Sequence, residues 1–347
     1  MPNVKCFAAQ SPTSPLGPFE ISRRDVGNHD VQIAIAYCGV CHSDIHQVRD
    51  EWSGALFPMV PGHEIVGRVT RVGSEVTRFR EGDLAGVGCM VNSCQTCASC
   101  RRGLEQFCER GAAFTYNSTE MDRETRTYGG YSTHIVVDER FTLKLSPEVH
   151  LASTAPLLCA GITTYSPLRR WNTKKGDRVA VVGLGGLGHM AVKLASSMGA
   201  EVTVLSTSRG KEADARRLGA HEFALTSERA TFTRLSGRFD LIIDAVSAPH
   251  DLNAYIGMLR VEGAMVLLGV PPRPTPLKAF SLIGGRRTLA GSLIGGIAET
   301  QEMLEYCAKR EIGADVELTP IQKINEAYDR TIRGEVHYRF VIDMSTL

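Results

Sequence analysis

The chain has 347 residues, 43% hydrophobic and 22% charged, with a formal net charge of +1. That length suits about two domains of roughly 150 residues each, and the charge balance argues against nucleic acid or an acidic membrane surface as partner. There is no apolar h-region at the start and no run long enough to span a bilayer, so ten cysteines without an export signal point to metal ligands and free thiols in reducing cytosol.

Residues 1–150 have β texture. Short apolar or alternating runs at 31–37, 65–72, 83–87, 131–137 and 142–145 are separated by Gly, Pro, Asn and Asp, the pattern of a compact barrel or sandwich. A helical stretch follows at 153–171, interrupted at Pro167. Strand and helix then alternate: strand 178–183, helix from Leu187, strand 201–206, helix from Lys211, strand 239–244, helix from His250, strand 264–269. Such alternation means βαβ units and a parallel sheet with helices on both faces. Residues 290–294 read as a last strand, 299–309 as a helix, and 338–343 as a strand rejoining the first domain. The expected division is 1–150, 151–296 and a returning segment 297–347.

Three motifs carry chemistry. The first lies within CGVCHSDIHQVRDEWSGALFPMVPGHE, residues 38–64. Cys41, His63 and Glu64 offer thiolate, imidazole and carboxylate, the side chains that hold catalytic zinc, and Cys159 in LLCAG is the best further candidate. Two thiolates and one imidazole leave a position open for water or substrate oxygen. Alone, Cys41 and His63 would read as scattered buried residues. The second motif is CQTCASCRRGLEQFC, where Cys94, Cys97, Cys100 and Cys108 have the spacing of a closed four-thiolate zinc site. An iron–sulfur cluster is a rival there; disulfides fit poorly in reducing cytosol. Its role is to order a loop without a core of its own.

The third motif is RVAVVGLGGLGH. Gly183, Gly185 and Gly188 follow a strand and open a helix, the setting in which G-x-G-x-x-G cradles a dinucleotide pyrophosphate. An NAD site wants an acid at the end of the next strand. Here 201–205 run into Ser206, Thr207, Ser208, Arg209 and Lys211, and Glu201 stands at the wrong end. Hydroxyls and cations suit a 2′-phosphate, hence NADP(H).

Together CGVCHSD, PGHEIVGRV, the cysteine lobe, YGGYS, PLLCAGITTYSPL, VVGLGGLGH and STSRGK resemble the zinc-dependent medium-chain alcohol dehydrogenases, in their cinnamyl alcohol dehydrogenase-like branch with its bacterial NADPH-dependent aldehyde reductases. The resemblance covers essentially the whole chain. It implies an α/β protein with a GroES-like β-rich catalytic domain, a doubly wound Rossmann domain, and an active site in the cleft between them. It assigns two zinc ions: one catalytic, on Cys41, His63 and Cys159 with Glu64 exchangeable, and one structural, on the four lobe cysteines. It assigns a proton relay from Ser43 through a cofactor ribose hydroxyl to His46, and makes Asp44 the carboxylate that orients His63. Relatives often carry Thr where this chain has Ser43, which keeps the hydroxyl. Cofactor contacts fall to Ser43, Thr163, Gly183, Leu184, Gly185, Gly186, Leu187, Gly188, Ser206, Thr207, Ser208, Arg209, Lys211, Ala245, Gly269, Ser292, Leu293 and Ile294. Trp52 is either a pocket wall or an ordinary half-buried tryptophan, and the 115–128 stretch has no clear counterpart.

The expected reaction is hydride transfer between NADP(H) and aldehydes or primary alcohols, working as an aldehyde reductase in a cytoplasmic homodimer. An NAD-dependent zinc polyol dehydrogenase is the enzymatic alternative. A non-catalytic, metal-stabilised binding protein of the same fold is the other; the retained Ser43 and His46 argue against it.

Overall fold

The structure, a computed structural model, describes residues 3–347; residues 1 and 2, where the expected first domain begins, lie outside the described residues. By packing, the chain forms two units: one made of the residues up to Ile162 together with Gly295–Leu347, the other of Thr163–Ile294.

The first unit is built on the strand Asp30–Gly39. Its Val31 and Ile33 are fully buried, and it pairs antiparallel with Ile65–Val72, His134–Asp138 and Arg339–Asp343. Leu84–Val87 and Leu143–Lys144 extend the sheet on one side, and Val316–Pro320 on the other. β-Branched residues dominate the buried positions, as suits a pleated sheet with a covered face. The register sets Val341 opposite Gly39 and Cys38 opposite Ile65. A strand from the end of the chain thus meets the 38–41 turn. Asn3–Ala8 and Gly17–Ser22 form a separate hairpin.

The second unit is a six-stranded, all-parallel sheet in the order Glu222–Leu225, Glu201–Ser206, Arg178–Val182, Phe239–Asp244, Leu259–Leu267, Thr288–Gly291. Strand order reverses at Arg178–Val182, the doubly wound topology whose switch point lies beyond that strand's carboxyl end. Val179, Ala180, Val181 and Val182 are all buried, as expected of a strand covered on both faces.

Four local expectations change. The helical break falls at Cys159, not Pro167: short helical turns end at Leu158, Cys159 takes φ −128° and ψ −68°, and a continuous helix Ala160–Arg170 carries Pro167 inside it. The expected strand at 290–294 is Thr288–Gly291; Ser292–Ile294 follow it, and Ile294 has φ +40°, outside strand geometry. The expected strand at 131–137 begins only at His134, because Gly129, Gly130 and Tyr131 give their amides to Val60, Gly62 and Pro61. The strands Asn3–Ala8, Gly17–Ser22, Glu222–Leu225 and Val316–Pro320 are additional; Glu222–Leu225 lacks alternation, and that of residues 316–319 is only four residues long.

Candidate active site and metal centres

Cys41 follows the central strand and stands at the N-terminus of the helix His42–Val48. Its amide donates to Asp44 Oδ2 (2.8 Å), which fixes the turn that presents the thiol. His63 enters from the other side of the strand pair. Gly62 before it has φ +102°, and a β-carbon there would lie 2.7 Å from both Cys38 Sγ and Tyr131 Cδ1, so only glycine fits. Cys159 arrives from the break between two helical segments, and its Sγ lies 3.9 Å from Cys41 Sγ. Donor atoms of Cys41, His63, Glu64 and Cys159 all lie within 4.8 Å of one another, and all four residues are buried.

This donor set fits zinc. Two thiolates at about 2.3 Å on a tetrahedral ion stand roughly 3.8 Å apart, close to the sulfur separation observed. Asp44, fully buried, places Oδ1 at 3.3 Å from His63 Nδ1 and also accepts from Gly62 N (3.1 Å). That contact leaves Nε2 free for a metal. The hydrogen bond from the Cys159 thiol lowers Cys41 well below the usual thiol range, outweighing its burial, and raises Cys159 in turn.

Glu64 shows a feature that spacing did not reveal. Its carboxylate, fully buried, pairs with Arg339, itself buried, at the head of the strand Arg339–Asp343. Oε2 has no hydrogen-bond partner among the described residues, and it occupies the hollow that Gly39 leaves: a β-carbon there would lie 1.9 Å from it. The carboxylate that the resemblance makes exchangeable is therefore held on an arginine, beside the cluster of donor atoms. A lone Arg opening the apolar run RFVID was the available signal, since a buried guanidinium needs a partner. Tyr116 is a further residue that sequence reasoning passes over. It lies in the 115–128 stretch, and its ring stacks on His63 with centroids 5.7 Å apart.

Ser43 Oγ lies 3.5 Å from Cys41 Sγ, on the same short helix as His46. His46 Nδ1 meets Glu51 Oε2 at 2.5 Å, and its ring stacks on Trp52 at 5.0 Å. Trp52 is 46% exposed.

The cysteine lobe is a second convergence. Cys94, Cys97, Cys100 and Cys108 have sulfurs within 4.8 Å of one another. Backbone amides aim at them: Cys97 N at Cys94 Sγ (3.4 Å), Cys94 N at Cys108 Sγ (3.4 Å) and Glu109 N at Cys97 Sγ (3.5 Å). Amide donors, first that of Thr96, bring Cys94 down to about 6, which favours the thiolate a metal requires.

In the second unit Gly183 turns at φ +85° after the strand Arg178–Val182. A β-carbon at Gly188 would lie 1.9 Å from Gly183 O, whereas one at Gly185 would meet nothing within 4 Å. The third glycine is thus required by packing, and the second leaves open space for a pyrophosphate, so the turn fits a dinucleotide. Leu184 O accepts from Lys211 Nζ (2.8 Å), which brings the lysine from the next strand's end onto the glycine turn. Ser208 N donates to Ser206 Oγ (3.2 Å). Arg209 pairs instead with Glu228 (3.1 Å). Thr207 and Ser208 are exposed, Ala245 follows the strand Phe239–Asp244, and Gly269 is packed against Val246 O. Thr163 and Ile294 are buried, while Leu293 is 49% exposed.

An open two-thiol, one-imidazole set, a closed four-thiol lobe and a dinucleotide turn on a doubly wound sheet define a zinc-containing dehydrogenase. Family models agree: residues 27–147 match the alcohol dehydrogenase GroES-like domain and residues 186–309 the zinc-binding dehydrogenase domain. The chain belongs to this family of zinc-binding alcohol dehydrogenases. It is 54% identical over 347 residues to an NADP-dependent alcohol dehydrogenase C of Mycobacterium tuberculosis, covering 100% of both chains. It is 51% identical to an aldehyde reductase, YahK, of Escherichia coli, covering 99% of each. A cinnamyl alcohol dehydrogenase structure from Helicobacter pylori, complexed with NADP(H), matches with a TM-score of 0.93 at 42% identity, covering 99% of this chain and 98% of that one.

Proposed function

We propose that this protein is an NADP(H)-dependent, zinc-dependent alcohol dehydrogenase that works as a reductase of aldehydes to primary alcohols. The observation that carries the reading is the buried set of Cys41, His63 and Cys159, with the carboxylate of Glu64 drawn onto Arg339. The names of the relatives support the cofactor and the substrate class.

Zinc on these ligands supplies Lewis-acid polarisation of the carbonyl, and the nicotinamide supplies the hydride. The protein's own residues do the rest. Asp44 fixes the imidazole of His63 so that one ring nitrogen faces the thiols. The hydroxyl of Ser43, beside Cys41, delivers the proton that the new alcohol needs. His46, only partly buried and paired with Glu51, exchanges that proton with solvent. Four cysteines of the lobe hold the second zinc, with no position for substrate.

The glycine turn receives the pyrophosphate, and Ser206, Ser208 and Lys211 receive the 2′-phosphate. The absence of an acid at the end of Glu201–Ser206 supports this choice. The cofactor-facing roles of Thr163, Ala245, Gly269 and Ser292–Ile294 belong to the same reading. The working form is a cytoplasmic homodimer. Its support is the open outer edge of the strand Thr288–Gly291, together with exposed apolar side chains on the segment before it, Phe280 at 76%, Ile283 at 69% and Val270 at 60%. No helix among the described residues is long and apolar enough to cross a membrane, and none of the ten cysteines is in a disulfide.

A panel of aldehydes assayed with NADPH and NADH tests the reading. Aldehyde-dependent oxidation of NADPH, with much weaker use of NADH, is expected. Preference for NADH with polyols, or no turnover of either cofactor, overturns it. Lys211→Ala should raise the KM for NADPH far more than that for NADH; equal effects remove the phosphate contact.

A further inference from the structure

The stretch Tyr128–Ser132, read as YGGYS, has no part in the reaction as described so far, yet it makes three successive hydrogen bonds to the turn before His63. Gly129 N donates to Val60 O (2.7 Å), Gly130 N to Gly62 O (2.8 Å) and Tyr131 N to Pro61 O (3.0 Å). Neither glycine tolerates a side chain. A β-carbon at Gly129 would lie 2.3 Å from Pro61 O, and one at Gly130 2.4 Å from Ile65 Cγ1. The fully buried ring of Tyr131 fills the hollow left by the missing side chain of Gly62. Its hydroxyl reaches Asp44 Oδ2 at 3.4 Å, on the carboxylate whose other oxygen faces His63. Tyr328, from the helix Ile324–Ile332, donates in turn to Tyr131 Oη (3.4 Å). At such lengths the two hydroxyl bonds are weak, so the backbone bonds and ring packing hold the turn and the hydroxyls tune it.

What anchors this strap is a buried arginine. Arg23 is 8% exposed and forms no ion pair among the described residues. Its guanidinium donates to Tyr128 O (2.9 Å), Gly129 O (2.8 Å) and Ser132 Oγ (2.8 Å). Ser132 Oγ also donates to Gly129 O (2.8 Å). Burying a guanidinium without a carboxylate is costly. Its acceptors all belong to one strap, and that strap grips the His63 turn.

We infer that Arg23 and Tyr131 are positioning residues for the metal-binding imidazole: Arg23 rigidifies the 128–132 strap, and Tyr131 holds both the backbone before His63 and the carboxylate that orients its ring. Groups that bond a metal ligand directly alter metal affinity by about 10- to 100-fold when removed, and residues that act through such a group fall at or below the lower end of that range. The inference rests on reading the buried set as the catalytic metal site, but it is read out without substrate.

The test uses the full chain, stripped of metal and reloaded with zinc or cobalt. Tyr131→Phe keeps the ring in its hollow and loses only the hydroxyl. It should weaken binding at the buried site by a few-fold, at most about 10-fold, and shift the cobalt d–d absorption, while the four-cysteine lobe keeps its affinity as an internal control. Arg23→Gln should weaken the same site by up to about 10-fold, with Arg23→Lys recovering part. In turnover, kcat should fall while the KM for NADPH holds. Tyr328→Phe provides a milder variant should the others fold poorly, and should move the cobalt spectrum in the same direction. Unchanged affinity and cobalt spectra in the folded variants overturn the inference, as does equal weakening of both metal sites. If metal binding changes as expected but no aldehyde is reduced by the unaltered protein, the functional reading fails and the positioning role stands. If the unaltered protein reduces aldehydes and metal binding is unmoved in the variants, the positioning role fails and the functional reading stands.

Discussion

Cys94 and Cys108, at the two ends of the lobe, are 14 residues apart in sequence, whereas Cys41 and Cys159 are 118 apart. The lobe needs little from the rest of the fold. Its turns aim amides at its own sulfurs, and Cys94 and Cys97 stay partly exposed. The buried set is assembled by the sheet: one ligand follows a strand, two precede the next strand, and one stands at a helical break. A loop-closing site that draws on local chain mainly stabilises that loop. A site whose donors come from several elements is held by packing that exists anyway, so its chemistry can be lost without the fold.

The sharpest way to break this comparison is to remove one thiol from each site. Cys41→Ala should reduce turnover at least about 10³-fold, as loss of Lewis-acid polarisation implies, with melting almost unchanged and one of two zinc ions retained. Cys100→Ala should lose the other ion and show lower thermal stability or solubility first. Metal analysis of the unaltered protein returning a single zinc, or none, would remove the two-site description altogether.

A second experiment asks how far the buried site depends on tertiary partners. Arg339→Met leaves the Glu64 carboxylate buried without its cation, a change that costs about 3–5 kcal/mol. Thermal unfolding should show a clear loss of stability, and adding Glu64→Gln should recover much of it because the orphaned charge is gone. If Arg339→Met melts like the unaltered protein, the ion pair contributes nothing and Glu64 is free to approach the metal unaided. No comparable pair exists among the described residues of the lobe ligands, which are all cysteines.

The smallest expected effect concerns His46. His46→Ala should lower turnover about 10-fold, less than full general-acid loss because solvent can partly replace it. The pH profile should change, imidazole buffer should restore part of the rate, and cofactor affinity should move less than turnover. Normal turnover with an unaltered profile would leave His46 as a ring packed on Trp52 and end the proton path at Ser43.

Much of the site was legible because its chemistry depends on residue type at short range. The lobe could be read outright from four cysteines at metal spacing, and the glycine turn from its place between strand and helix. His63 and Cys41 were legible as donors, whereas Asp44 as the partner of the imidazole came from the family resemblance, which agrees with the need of zinc-bound histidines for such a partner. Arg339 stood out only as a cation opening an apolar run, and its partner could not be named because it is 275 residues away. Tyr116 and the Gly129–Tyr131 strap escaped for the same reason. Their partners lie on other elements, and period-2 alternation says nothing about a segment that spends its amides on a turn. The break at Cys159 was misplaced at Pro167 because local propensity favours proline as a breaker, while packing decides whether its missing amide matters.

By itself, the sequence determined which atoms could bind metal and cofactor: thiols, an imidazole, a glycine turn and a strand end without an acid are properties of residue type and spacing. It also determined that a β-rich region is followed by alternating strands and helices, since periodicity is local. Only the tertiary structure decided that Glu64 rests on Arg339, that Lys211 reaches back to Leu184, and that a buried arginine bonds the strap whose amides meet the turn before His63. These contacts join residues far apart in the chain. Their strength comes from burial, which removes competing water and makes each partner indispensable, and burial is a property of the folded whole.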